Sequence, residues 1–354
     1  ANNKEDAHEE PTIKRSRSHD YVSKEVINVR ENVGLIEVAN FSKHEFKGPD
    51  ARKFLDHIMA GRLPKPGRIS LSPMLSYRGK LCGDLTVACL DENEFMVFGS
   101  GAAQEMHRRW FESHIDKFNL SYSNRSDEYH GLSIAGPNSR KVLEKIVRDD
   151  VSNEKFKFRD SRRMFVGGVP AIINRISFTG ELGYEIYVAP HYQLKLYEEL
   201  MEAGKEFNIK PFGGRALMSM RLEKNWGAWT LDYRPDFTAK ETGLDAFINW
   251  DKEFIGKESA QKENSSNKLV PLIVETNEID VTNNEAVLNG DQSIGYVTSG
   301  GFAHFVNKSV AFTFVDQKNI KSENKIQVEI NGDLFNCSII KEPLYDPSGQ
   351  KMRS

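Results

Sequence analysis

Cysteine is scarce in this chain. Cys82, Cys89 and Cys337 are three in 354 residues, an odd number at unrelated spacings. They suit neither a disulfide framework nor a zinc site, so no metal centre is expected. The expected setting is a soluble protein of a reducing compartment: the cytoplasm, or the mitochondrial matrix in a eukaryote. Long apolar runs are also missing: no window approaches the roughly 20 residues that a membrane helix needs, and no secretory signal opens the chain. Neither sign of charge dominates. The net charge of -3 gives no reason to expect nucleic acid as a partner. A dinucleotide fingerprint is absent too, because Gly99-Ser-Gly101 lacks the third glycine. No internal repeat is evident. The first residue is Ala rather than Met, so either an initiator was removed or a longer polypeptide preceded it.

What is present is length enough for two or three domains and a substantial core. Residues 1–20 are polar and of mixed charge, with Glu5, Asp6, Glu9 and Glu10 followed by Lys14, Arg15 and Arg17. That composition reads as a flexible tail or linker. From Tyr21 the apolar spacing predicts a helix, strands over 35–38 and 43–47, and a helix over 50–59 with Phe54, Leu55 and Ile58 on one face. Strands over 71–77, 81–90 and 94–98 follow, then a helix to about Phe118. Strand character over 121–134 precedes a helix after Gly136-Pro137-Asn138. Helices are also predicted over 191–206, with Leu194, Leu196, Tyr197 and Leu200 as core positions, and over 213–224. The polar run 262–268 marks a boundary. Beyond it, short alternating strands and Gly/Asn turns indicate a small β-barrel or sandwich.

The stretch from Arg175 to Tyr187 reads as a strand, a tight glycine turn at Gly180 and Gly183, and a second strand. It carries two carboxylates. Alternation puts Glu185 on the face opposite Tyr184, Ile186 and Val188. Such a carboxylate is either exposed on an ordinary hairpin or buried with a partner, and a flat heterocycle with two adjacent N–H donors is a good one. Asp84, in Gly83-Asp-Leu-Thr-Val87, either caps a turn or projects into a cavity. In a cavity it orients or deprotonates an amine, or stabilises an iminium by charge. On the helix over 213–224, Arg215 and Arg221 lie among apolar residues. An internal Arg–Glu pair competes there with bidentate binding of an anionic ligand. Trp226, Trp229 and Tyr233 form either an aromatic core or a wall for a planar ligand. His304 is given no role.

Taken together, these segments resemble the glycine cleavage T-protein (aminomethyltransferase) family. They are most similar to the folate-binding C-terminal part of dimethylglycine and sarcosine dehydrogenases and oxidases. The resemblance rests on an ordered set of segments: Val29-Arg-Glu-Asn-Val-Gly-Leu35, Gly83-Asp-Leu-Thr-Val87, Phe178-Thr-Gly-Glu-Leu-Gly-Tyr-Glu185 and Gly214-Arg-Ala-Leu-Met-Ser-Met-Arg-Leu-Glu223. Glu241-Thr-Gly-Leu244, the segment from Asp251 to Ser259, Gly295 to Gly301, and Pro343-Leu-Tyr-Asp-Pro347 complete it. It implies an α+β, three-domain ring-like fold. Residues 21–265 would be a folate-binding region of two interleaved α+β subdomains, and 266–354 a C-terminal β-barrel. It further implies a tetrahydrofolate pocket in which Glu185 grips the pterin edge and Asp84 sits beside the reactive nitrogens. Arg215, Arg221, Phe178, Tyr184 and Trp226 would be nearby binding residues, and Glu181 would shape the turn.

The implied activity is one-carbon transfer from an N-methyl amine such as dimethylglycine or sarcosine, giving 5,10-methylenetetrahydrofolate. FAD would sit only on an upstream domain or a partner subunit. Methyl transfer from a sulfonium or methoxy donor, giving 5-methyltetrahydrofolate, is the alternative enzyme. A folate-binding helper protein is the alternative class, though no cysteine here has the motif context of such helpers. Phe178 is a departure, because dimethylglycine-oxidising relatives often carry Tyr there.

Overall fold

A strand buried on both faces needs a covering layer above and below it. All six residues of Gly183–Val188 are buried, and their side chains divide between two cores. In the computed structural model, which describes residues 12–320 and 325–354, this strand lies inside a six-stranded sheet. The sheet order is Ile209–Pro211, Val33–Glu37, His130–Ala135, Gly183–Val188, Val169–Asn174 and Ser161–Val166. Tyr184, Ile186 and Val188 point to the side covered by the helices Ser139–Ile146 and Gln193–Gly204. Glu185 and Tyr187 point the other way, as the twofold period of a strand requires.

That other side faces a five-stranded sheet ordered Arg68–Leu75, Leu81–Asp91, Glu94–Gly99, Ser42–Lys47 and Ser121–Asn124. Its outer surface packs on the helix Ala51–Ile58, through Phe54, Leu55 and Ile58, and on Phe111 of the helix Gln104–Glu112. Its inner surface presents Ile69, Ala88, Met96 and Phe98 to Ile172 and Tyr187. The Phe98 and Tyr187 rings stack with centroids 4.6 Å apart. The result is four layers, helix–sheet–sheet–helix, in which the five-stranded sheet is built from a segment inserted between two strands of the other. Gly101 serves close packing: a Cβ there would lie 2.1 Å from the Asn40 carbonyl oxygen.

Residues beyond the polar run form a closed six-stranded barrel that starts at Asn267. Two buried charged clusters tie it and the C-terminal segment to the sheets. In the first, Asp232 accepts from Arg221 at 2.6 Å, from the Ala228 amide at 3.0 Å, and from the barrel hydroxyls of Thr298 and Ser299 at 2.5 and 2.7 Å. In the second, Arg30 donates to Glu181 at 2.8 Å and to Glu223 at 2.6 Å, beneath the Tyr345 ring. The internal partner of Arg221 is therefore Asp232, not a glutamate; Glu223 pairs with Arg30.

Three local expectations differ from the structure. The residues from Arg175 to Leu182 are a loop rather than a strand and tight turn. Gly183–Val188 pairs antiparallel with Val169–Asn174, so the connection is eight residues long. Its bend turns on Gly180, at φ +85°, whose missing Cβ makes room for the Lys224 stem. Leu194 is 68% exposed, whereas Leu196 and Leu200 are buried. Residues 1–11 of the expected tail lie outside the described residues. Beyond them the chain is held: Arg15 makes a bidentate pair with Asp280, and the helix Ser18–Glu31 begins before Asp20.

Candidate functional site

The inter-sheet space is apolar at one end and polar at the other. Strand register decides which residues face it. On the six-stranded sheet, Glu185 lies directly between Ser133 and Asn174, one pair along from Tyr187. On the five-stranded sheet, Ala88 and Thr86 pair with Met96 and Phe98, which are core of the inter-sheet layer. Asp84, two residues before Thr86, shares their face. Leu85, Val87 and Cys89 point to the opposite core. The two carboxyls therefore open onto one gap from facing sheets. Beside Glu185, Asn174 Oδ1 accepts from the Ser161 hydroxyl at 2.7 Å, while its buried Nδ2 has no partner among the described residues.

The electrostatics of the gap follow from enclosure. Burial pushes the Glu185 carboxyl up to about 7; a hydrogen bond from the Tyr187 hydroxyl (2.8 Å to Oε2) and the charge of Lys43 oppose the shift. Asp84 is likewise pushed up to about 7 by burial, opposed by its own backbone amide. Its side chain nonetheless keeps some exposed surface. Asp84 lies within the strand Leu81–Asp91 and is not a turn cap. Two carboxyls that titrate near neutrality, with no ion pair to either among the described residues, can accept N–H donors or exchange protons at physiological pH.

The loop 225–238 closes the Asp84 end of the gap. Tyr233 feels the Asp84 charge, and burial raises its hydroxyl. The Tyr233 oxygen accepts from the Gly227 amide at 3.2 Å. Tyr233 packs with Leu71 and Trp229, and Trp229 lies 6.1 Å from the His107 ring. Trp226 is half-buried and stacks on half-buried Phe178, with centroids 5.9 Å apart. Phe178 lies in the loop that leads into the strand carrying Glu185.

The remaining sequence candidates fall elsewhere. Arg215 is exposed, and its guanidinium donates to Ser18 at 2.8 Å, so this helix does leave one arginine at the surface. Arg221 is wholly buried in the Asp232 cluster. Tyr184 is on the helix-covered side of its strand, stacked on Phe156, with the sheet between it and Glu185. Glu181 is locked by Arg30. A surface hollow of about 510 Å³ between Leu35, Gln193, Leu194 and Phe212 is lined by neither Glu185 nor Asp84. Sequence reasoning missed Asn174, Tyr187 as a hydrogen-bond donor to Glu185, and Tyr233 as a neighbour of Asp84. The i, i+2 spacing of Glu185 and Tyr187 was the available signal for the second of these.

With this geometry in place, comparison with known proteins is informative. Residues 5–252 match the GCVT N-terminal domain, and residues 267–346 match the glycine cleavage T-protein C-terminal barrel domain. Mitochondrial dimethylglycine dehydrogenase of Mus musculus is 34% identical over 348 residues. That alignment covers 96% of this chain and 40% of the relative, so the chain spans well under half the length of that protein. An aminomethyltransferase of Thermoanaerobacter pseudethanolicus is 29% identical over 330 residues, 91% of this chain and 89% of that one. Among solved structures, the glycine cleavage system aminomethyltransferase T from Bartonella henselae superposes with a TM-score of 0.83 at 23% identity. The superposition covers 92% of this chain and 90% of that one, a likeness of fold.

Proposed function

The chain belongs to the glycine cleavage T-protein family, and from that premise we propose that it is a tetrahydrofolate-dependent one-carbon transferase acting on an N-methyl amine. The observation that carries this reading is a pair of carboxyls, Glu185 and Asp84, each on the inter-sheet face of its own sheet and each without an ion pair among the described residues. The residues fit the ligand. Glu185 offers two acceptor oxygens to the adjacent N–H donors of a pterin edge, and Tyr187 fixes the orientation of one of them. The partnerless Nδ2 of Asn174 supplies a donor on the same strand pair. Phe178 and Trp226 stack on one another, half-buried, and in this reading offer aromatic surface to the ligand. Tetrahydrofolate, when bound, supplies the nucleophilic amine that accepts the one-carbon unit, with 5,10-methylenetetrahydrofolate as the product.

Asp84 is the group in this reading that moves a proton. A carboxyl near 7 is divided between its two states at neutral pH, so it can take a proton from an amine and return it. When ionised it also lowers the energy of a cationic donor in a low-dielectric gap. The N-methyl donor is favoured by the dimethylglycine dehydrogenase similarity. Since that relative is much longer, a flavoprotein domain or partner subunit carrying FAD is the proposed source of the oxidised one-carbon unit.

Calorimetric binding of tetrahydrofolate to the wild type and to Glu185→Ala tests the reading. Binding by the wild type and at least a tenfold loss in the variant are expected; no wild-type affinity would sink it. Product analysis then separates methylene transfer from methyl transfer. A product that an NADP-linked methylenetetrahydrofolate dehydrogenase oxidises supports the proposal, and an inert methyl product overturns it.

A further inference from the structure

Lys43 is a wholly buried lysine that makes no ion pair among the described residues. Burying an ammonium without a counter-charge is expensive, and a neutral residue would normally be preferred at such a place. Its position explains it. Lys43 lies opposite Phe98 in the pairing of Ser42–Lys47 with Glu94–Gly99, and Phe98 stacks on Tyr187. The side chain therefore enters the inter-sheet layer. There the ammonium donates to the Ala39 carbonyl at 2.6 Å and contacts the Ser126 carbonyl at 3.5 Å, 5.9 Å from the centre of the Tyr187 ring. Tyr187 in turn donates to Glu185. Ammonium, aromatic ring, hydroxyl and carboxylate follow one another across the layer.

We propose that Lys43 is a positioning residue for the one-carbon reaction: its backbone-anchored ammonium favours the ionised form of Glu185, the form that can accept two N–H donors from the pterin. The proposal rests on the reading that Glu185 grips that ligand. The charges of three carboxylates act on the ammonium: Asp127, Glu185 and Glu37. Asp127 and Glu37 are exposed and screened by solvent, and Glu37 also accepts from Gln193. Glu185 is buried and feels the charge through protein. The groups acting on Glu185 itself are Tyr187 and Lys43. Burial lowers the Lys43 ammonium to about 8, so it keeps its charge at neutral pH.

The test compares wild type with Lys43→Met, Lys43→Gln and Lys43→Arg; two neutral variants are used so that a folding failure in one leaves the other. The first readout is the infrared titration of the Glu185 carboxyl in ligand-free protein, assigned by its loss in Glu185→Gln. Both neutral variants should raise the midpoint by about one pH unit, the order expected when a nearby unit charge is removed at an effective dielectric of ~20. Lys43→Arg should restore it. The second readout is tetrahydrofolate affinity against pH: about tenfold weaker than wild type near pH 6 in the neutral variants, with the gap closing by about pH 9. An unmoved midpoint overturns the proposal, as does an affinity loss equal at every pH, which marks a merely structural lysine. If the midpoint moves but the wild type binds no tetrahydrofolate, the charge coupling stands and the functional reading fails.

Discussion

Removing the Asp232 carboxylate should uncouple the barrel from the two-sheet region. Arg221 and Asp232 are both essentially inaccessible to solvent, so neither charge can be rescued by water if its partner is lost. Asp232→Ala leaves the Arg221 guanidinium buried beside Phe312, with one carbonyl contact, to Trp226. Stranding a buried charge in this way costs about 3–5 kcal/mol. Thr298 retains a contact to the Phe312 carbonyl at 3.1 Å, but the Ser299 hydroxyl and the Ala228 amide also lose their acceptor. Each adds about 1 kcal/mol, for a loss of roughly 5–7 kcal/mol. That is a large share of the roughly 5–15 kcal/mol available to a domain. Urea unfolding followed by circular dichroism, with limited proteolysis at residues 262–268, reads both the loss and the release of the barrel. Adding Arg221→Met removes the stranded charge and should recover about half of the loss. A cost for Asp232→Ala below about 1 kcal/mol refutes the reasoning, as does a double variant whose cost equals the sum of the two single ones.

Other outcomes follow from buried charge. Arg30→Met leaves Glu181 and Glu223 facing one another without their cation, and should cost about 3–5 kcal/mol in chemical denaturation; a neutral result would show that the triad is dispensable. Asp84 and Glu185 titrate near 7 in the folded protein against ordinary values of 3.8 and 4.5. The folded, ligand-free state therefore holds protons that the unfolded chain has released. Their stabilisation is fully present below about pH 4 and falls as the pH rises to about 7, by a few kcal/mol per group. Asp84→Asn and Glu185→Gln should each gain stability over wild type across that window, and parallel pH–stability curves would count against the burial. His107 acts in the opposite sense, because burial lowers it to about 4: its stabilisation is present above about pH 6.5 and is lost as the pH falls toward 4. His107→Gln should remove that acid-side loss in a thermal-melt series.

Much of the architecture was legible because periodicity and turn residues report directly on which face is buried. Phe54, Leu55 and Ile58 were readable as one face of a helix, and the barrel was readable from its short alternating strands. The segments that marked the family have a physical unity the sequence hides: Arg30, Glu181, Glu223 and Tyr345 come from four of them and meet in one cluster. Much of the recognisable pattern thus serves that scaffold, while Glu185 and Asp84 serve the gap. Long-range partners were not legible. Asp232, in Leu-Asp-Tyr, reads as an ordinary turn residue until Thr298 and Ser299 arrive from the barrel. Lys43 sits where the residues Ser42 to Phe46 are buried without exception, although Ser-Lys-His-Glu has no apolar residue to announce it. Arg215 and Arg221 share a helix, yet one lies at its exposed start and the other in a core. Composition around them could not separate those fates.

The insertion of one sheet within the other also sets an order of synthesis. The five-stranded sheet is complete once Asn124 has emerged, so the half of the gap that holds Asp84 can form while Glu185 is still untranslated. The six-stranded sheet closes only when Ile209–Pro211 settles beside Val33–Leu35. Until the strands carrying Ile172 and Tyr187 have emerged, Ile69, Ala88, Met96 and Phe98 form an apolar face without that cover. A nascent chain paused between those points is adhesive, and its yield will depend on chaperones and elongation rate more than the stability of the finished fold suggests.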